Sequence, residues 1–72
     1  MMLSVFSGQK YGYSYEVETG HYLLYDSDYK SHIYLQGDDA RIFREHIALI
    51  DSLPDPEYNT GLLTENTIGI YL

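Results

Sequence analysis

The chain has 72 residues, with eleven acidic and four basic side chains, a net charge of −7 and a pI near 4.5. That length makes one domain, residues 1–72, near the lower limit for folding alone, and the charge opposes direct contact with nucleic acid or an anionic membrane. The absence of cysteine excludes a disulfide framework and a thiolate zinc site.

In chain order, residues 1–6 are apolar but short, enough for an edge strand or a loosely held terminus. They lack the cationic and long apolar pattern of a signal peptide, so a cytoplasmic protein is expected. No apolar run approaches the ~20 residues of a membrane span. Residues 7–10 read as a turn. Residues 11–19 alternate: Tyr11, Tyr13, Tyr15 and Val17 share one face, and Gly12, Ser14, Glu16 and Glu18 the other, the pattern of a half-buried strand. Thr19-Gly20 predicts a tight hairpin turn. With two loop residues, Val17 would face Tyr22 and Tyr15 would face Leu24, and Leu23 and Tyr25 would lie on the opposite side of the returning strand, residues 21–28.

Residues 26–31, DSDYKS, form a second turn. Residues 32–36 are a third strand, with Ile33 and Leu35 inward and Tyr34 outward. Residues 37–53 carry the one clear helical period. Ala40, Ile42, Phe43, Ile47, Leu49, Ile50 and Leu53 cover half of the cylinder, and Arg41, Arg44, Glu45, Asp51 and Ser52 the other half. Gly37 breaks the strand before it, Asp38 or Asp39 suits the N-cap, and Pro54 stops the helix. Residues 54–61 are an acidic loop, and Leu62-Leu63 either a short return segment or loop packed on the core. Residues 67–72 alternate again and predict a last strand, parallel to the third if the helix is a right-handed crossover. The expected fold is α+β, in the order β-β-β-α-β. One amphipathic helix packs on one face of a mainly antiparallel four-stranded sheet, and nothing remains to cover the other face.

This topology places the charges. Glu16, Glu18, Asp38 and Asp39 gather at one end; Asp26, Asp28, Asp51, Asp55 and Glu57 gather at the other, ~20 Å away over one strand length. Between them the uncovered face would show Leu23, Tyr25, Tyr34 and Tyr71. Nine tyrosines in so short a chain partly reflect strand propensity, but three with a leucine on one open face form a patch suited to protein contact. The candidate partner-binding residues are therefore Glu16, Glu18, Tyr25, Asp26, Asp28, Tyr34, Asp38 and Asp39.

Catalytic and metal chemistry find little support. His21, His32 and His46 match no ligand spacing, and His46 falls in the apolar arc of the helix, as a core-edge histidine. Asp26-Ser27-Asp28 begins like a calcium loop but lacks its glycine and distal glutamate. The serines have no base partner in a recognisable pattern, the glycines form no phosphate loop, and four basic residues are too few for a nucleic-acid groove. No cofactor or metal is expected, and a binding protein is favoured over an enzyme.

In general character, small, acidic, α+β and without catalytic groups, the chain resembles the small phage-encoded inhibitors of bacterial defence, the anti-CRISPR proteins among them. That resemblance implies a DNA mimic acting in the host cytoplasm. Its carboxylates, Glu16, Glu18, Asp38 and Asp39, would occupy a lysine- or arginine-lined site of a basic, nucleic-acid-binding defence complex, with Tyr25 and Tyr34 adding contact area. A homodimeric module, paired through open sheet faces or edge strands, is the alternative.

Overall fold

The computed structural model describes residues 1–54 and 57–72. Four strands, β1 (Met2–Ser7), β2 (Tyr11–Glu16), β3 (His21–Asp26) and β4 (His32–Leu35), precede two helices, α1 (Gly37–Asp51) and α2 (Thr60–Tyr71). The strands form one antiparallel sheet in the order β1-β2-β3-β4. The α+β class and the four-stranded antiparallel sheet stand as the sequence predicts. The fourth strand is the N-terminal segment, however, and residues 67–72 belong to a helix.

The register explains the faces. Tyr13 pairs with Leu24 and Tyr15 with Tyr22, so the β2–β3 loop has four residues, 17–20, instead of two. Gly20 donates its N–H to the Glu16 carbonyl at 2.8 Å and takes a φ of 77°, where a Cβ would be strained. The shift from the expected pairing is two residues, and the side-chain period of a strand is also two, so the faces of the paired residues are kept. Val17, expected inward against Tyr22, falls instead in the loop and is exposed, and Tyr15 takes its place opposite Tyr22. In β1 the register shifts between Ser4 and Phe6, leaving Val5 bulged. The bulge lets Leu3 and Phe6, which are oddly spaced, lie on the same side as Tyr15 and Tyr13.

Both helices lie on the Tyr13 side. The core joins Tyr13, Tyr22, Leu24 and Leu35 from the sheet to Ala40, Phe43 and Ile68 from the helices. Phe43 is fully buried and meets Tyr13, Tyr22 and Tyr71 edge-on, at ring separations of 5.1, 5.0 and 5.9 Å. Such edge-to-face contacts are favourable beyond the area that they bury.

Helix α1 buries less than its sequence predicts. Ala40, Phe43 and Ile50 are buried, but Ile42 and Leu49 are exposed, and so is His46, which is therefore no core-edge histidine. Its N-cap is Gln36, with no side-chain bond; Asp38 and Asp39 instead occupy the first turn, where they oppose the positive end of the helix dipole. Helix α2 replaces the expected parallel strand. Asn59 caps it with φ 48°, accepting the Leu62 N–H at Oδ1 over 3.3 Å. Thr64 and Thr67 donate their hydroxyls to the carbonyls of Thr60 and Leu63, each at 2.9 Å, so neither side chain leaves a lone donor. The inward stripe is Thr64, Ile68 and Tyr71, spaced four and three apart. Glu65 ties α2 to the β1–β2 turn by accepting the Lys10 and Tyr11 N–H groups at 2.6 and 3.1 Å. Asp55, placed by the sequence at the lower acidic end, lies outside the described residues.

Candidate interaction surface

The face of the sheet turned away from the helices has no described element packed on it. Strand alternation and register set its contents. One row crosses all four strands as Ser4, Ser14, Leu23 and Tyr34, and a neighbouring row holds Ser7, Gly12, Tyr25 and His32. The end nearest the β2–β3 turn carries Met2, Glu16 and His21.

These rows build a shallow hollow of about 380 Å³ lined by Ser4, Ser14, Leu23, Tyr25, Tyr29 and His32. Its depth comes from two local departures from a flat sheet. Gly12 lacks the Cβ that would stand within 2.9 Å of the Tyr25 ring and hydroxyl, so Tyr25 lies down across β2. Tyr29, in the β3–β4 turn, has a φ of 57°, unusual for a bulky residue, and its ring stacks on Tyr25 at 5.1 Å and 20°. Tyr25 thus sits on the predicted face, but at 8% exposure it is a wall and not a projecting anchor. The exposed ring is Tyr29 at 73%. Tyr71, expected on this face, is on α2 against Phe43.

Tyr34 is 43% exposed, as predicted, and its hydroxyl lies 2.8 Å from His21 Nδ1 with the two rings edge to face. Glu16 and Glu18 gather at the predicted end beside the amino terminus, which forms an ion pair with Glu16 and lies 4.0 Å from Glu18. That amine, followed by the Glu18 N–H, holds the Glu16 carboxyl below the usual carboxylate range. At the opposite end Asp26 accepts the Lys30 N–H at 2.9 Å, which closes the turn, and Asp28 is exposed in the same turn. Asp26 and Asp28 precede Tyr29 in the turn, and Lys30 follows it.

Asp38 and Asp39 are not brought to this surface. They belong to the helix layer, where Asp38 pairs with Arg41 at 3.6 Å and Arg41 with Glu45 at 3.1 Å. Asp39 lies near enough to Tyr71 to reinforce the upward shift that burial gives that phenol. Arg44 reaches past the helix edge to the β2–β3 turn, donating to the Gly20 carbonyl at 3.1 Å and the Tyr22 hydroxyl at 3.3 Å.

Sequence reasoning missed Tyr29, Ser4 and His32 as members of one site. The alternation already put Ser14 and Leu23 on this face, and extending it through β1 would have added Ser4. Nothing in DSDYKS announces a left-handed tyrosine, because that conformation favours Gly, Asn and Asp. Among the described residues no group of three histidine, aspartate or glutamate side chains could hold a metal ion, and no helix is long and apolar enough to cross a membrane. Compared with protein-family models, with curated proteins and with solved structures, the chain matches none.

Proposed function

We propose that this chain is a non-enzymatic binding protein that engages a basic, nucleic-acid-binding protein through its open sheet face, acting as a DNA-mimicking inhibitor of the anti-CRISPR type. The observation that carries this reading is the uncovered face itself: a ring-lined hollow at the centre, Tyr34 beside it, and carboxylates at both ends. Aromatic side chains give contact area at a low entropic cost, and surrounding acids steer a cationic partner into register. Glu16, Glu18 and Asp28 are the carboxylates at the ends of this face; Asp26, opposite Tyr11 in the register of the helix side, and Asp38 and Asp39, on the helix layer, contribute to the long-range field.

Capture from a bacterial lysate, followed by titration against the captured partner, tests this. Binding is expected to weaken with salt, to be competed by DNA, and to fall several-fold on Glu18→Lys with Asp28→Lys, chiefly through a slower association. Asp38→Lys is expected to do less. Binding that ignores both salt and the Glu18 and Asp28 reversals would sink the proposal.

A second reading, a homodimer, is favoured by a different surface. Ile70 is 82% and Leu49 65% exposed, and with His46, Ile50 and Thr67 they line a hollow of about 240 Å³ between the helices. A second copy brings a projecting Ile70 to a hollow that, among the described residues, no carboxylate lines, so two chains of charge −7 can meet there without direct repulsion. Light scattering across a concentration series would show a dimer that Ile70→Lys abolishes; a monomer at every concentration rejects it.

A further inference from the structure

We infer that the hollow between Ser4, Ser14 and the Tyr25–Tyr29 pair is a subsite for a guanidinium group, that is, for an arginine side chain of the partner. The inference rests on the proposed function only for the source of that arginine; the chemistry of the hollow stands separately. Four observations carry it. The first is the backbone of Tyr29, a bulky residue held at φ 57°, a conformation that costs free energy and that recurs where a side chain must be aimed. Here it aims a ring, which stacks on Tyr25 and stays 73% exposed. The second is size: about 380 Å³ lies in the range of small-ligand sites and exceeds what a water or a simple cation needs.

The third is the polar lining. Among the described residues, no hydrogen bond engages the side chains of Ser4, Ser14 or His32, so acceptors remain for a donor-rich group. The fourth is charge. Among the described residues no carboxylate lines the hollow; Asp26 and Asp28 precede Tyr29 in the turn, Lys30 follows it, and the chain as a whole carries −7. A strongly hydrated ammonium is held best by direct carboxylate contact. A flat, weakly hydrated cation is held by ring faces and scattered acceptors, within a field that draws positive charge. The overall charge repels anions such as phosphate.

The test uses the full, isotope-labelled chain, titrated by NMR with N-acetyl-arginine amide, N-acetyl-lysine amide and p-cresol. The arginine probe is expected to bind with an affinity on the order of millimolar, shifting the signals of Ser14, Leu23, Tyr25, Tyr29 and His32. It should exceed the lysine probe by roughly two- to fivefold, the range of a solvent-facing cation–ring contact. Tyr29→Ala should erase that preference, while Tyr29→Phe keeps it, as does Tyr58→Ala at an exposed tyrosine elsewhere. Equal binding of lysine, displacement by p-cresol at equal or lower concentration, or shifts confined to Glu18 and Asp28 would overturn the subsite. Loss of the subsite leaves salt-sensitive, DNA-competed binding of a basic partner intact, and failure to find such a partner leaves the arginine preference intact, so the two failures are distinguishable.

Discussion

Phe43 joins the two layers, because three tyrosine rings from both of them converge on its edges. Phe43→Ala removes that hub and is expected to cost about 3–5 kcal/mol. Marginal domains have little more than that in total, so the variant should show no cooperative thermal transition by circular dichroism, whereas Phe43→Leu keeps one at a lower Tm. Two titrating groups set the pH limits. Burial, aided by Asp51, pushes the Tyr13 phenol up to about 12 from an ordinary 10. A raised value means that the stabilisation is complete below pH 10 and is lost as pH rises toward 12. The chain should therefore unfold in that alkaline window as Tyr13 ionises, followed by ultraviolet absorption, and Tyr13→Phe should lessen this loss. Glu65 has the opposite sign: the Lys10 and Tyr11 N–H groups hold its carboxyl below the ordinary 4.5. Its stabilisation is present above that value and drains as pH falls through the lowered one. Urea midpoints of the native chain and Glu65→Gln should differ at pH 7 and converge in acid. The burial of Phe43, Leu24 and Leu35 was legible in the sequence from periodicity alone. The clamp by Glu65 was not, since it joins residues more than fifty positions apart.

At the scale of elements, the sheet and α1 follow from local pattern, and α2 does not. Residues 67–72 satisfy a strand period through Ile68, Ile70 and Leu72, and they satisfy a helix period through Thr64, Ile68 and Tyr71. Six residues cannot separate the two; the stripe over residues 64–71 and the capping Asn59 can. In the helix Ile70 is left in solvent and Tyr71 meets Phe43, whereas the strand reading buries Ile70 and exposes Tyr71. Asn59→Ala should cost about 1–2 kcal/mol, combining the lost cap with left-handed strain in alanine, and Asn59→Gly a smaller amount, read from denaturant midpoints. The hairpin shows a different kind of miss. Its loop is longer than predicted by two residues, which moves Val17 out of the core into solvent, yet no paired side chain changes face. In the sheet, Gly12→Ala would press a methyl against the Phe6 carbonyl and the Tyr25 ring, at 2.7 and 2.9 Å. A loss of about 1–3 kcal/mol is expected, with Tyr25 lifted and the arginine probe's preference weakened.

At the scale of the molecule, two helices cover one side of a sheet and no described element covers the other, so the fold divides into a helix layer and an open face. Charge does not divide with it: Arg41 and Arg44 share the helix layer with Asp38, Asp39, Glu45, Asp51 and Glu65, and Lys10 and Lys30 lie in turns of the sheet, so what marks the open face is its ring-lined hollow. A basic partner should therefore protect Leu23, Tyr29 and Tyr34 from exchange or labelling and leave Ile70 and Leu49 accessible; protection of the helix side instead would point to the dimer. The sequence by itself determined the α+β class, the antiparallel pairing of the central strands and the sign of the surface charge. Periodicity and composition are local properties, and each persists over enough residues to be unambiguous. Only the tertiary structure decided the identity of the fourth strand, the helical state of residues 60–71 and the hollow on the open face. Each of these depends on contacts between distant segments: Met2–Ser7 with β2, α2 with Phe43, and Tyr29 folded back over Tyr25 where Gly12 leaves room.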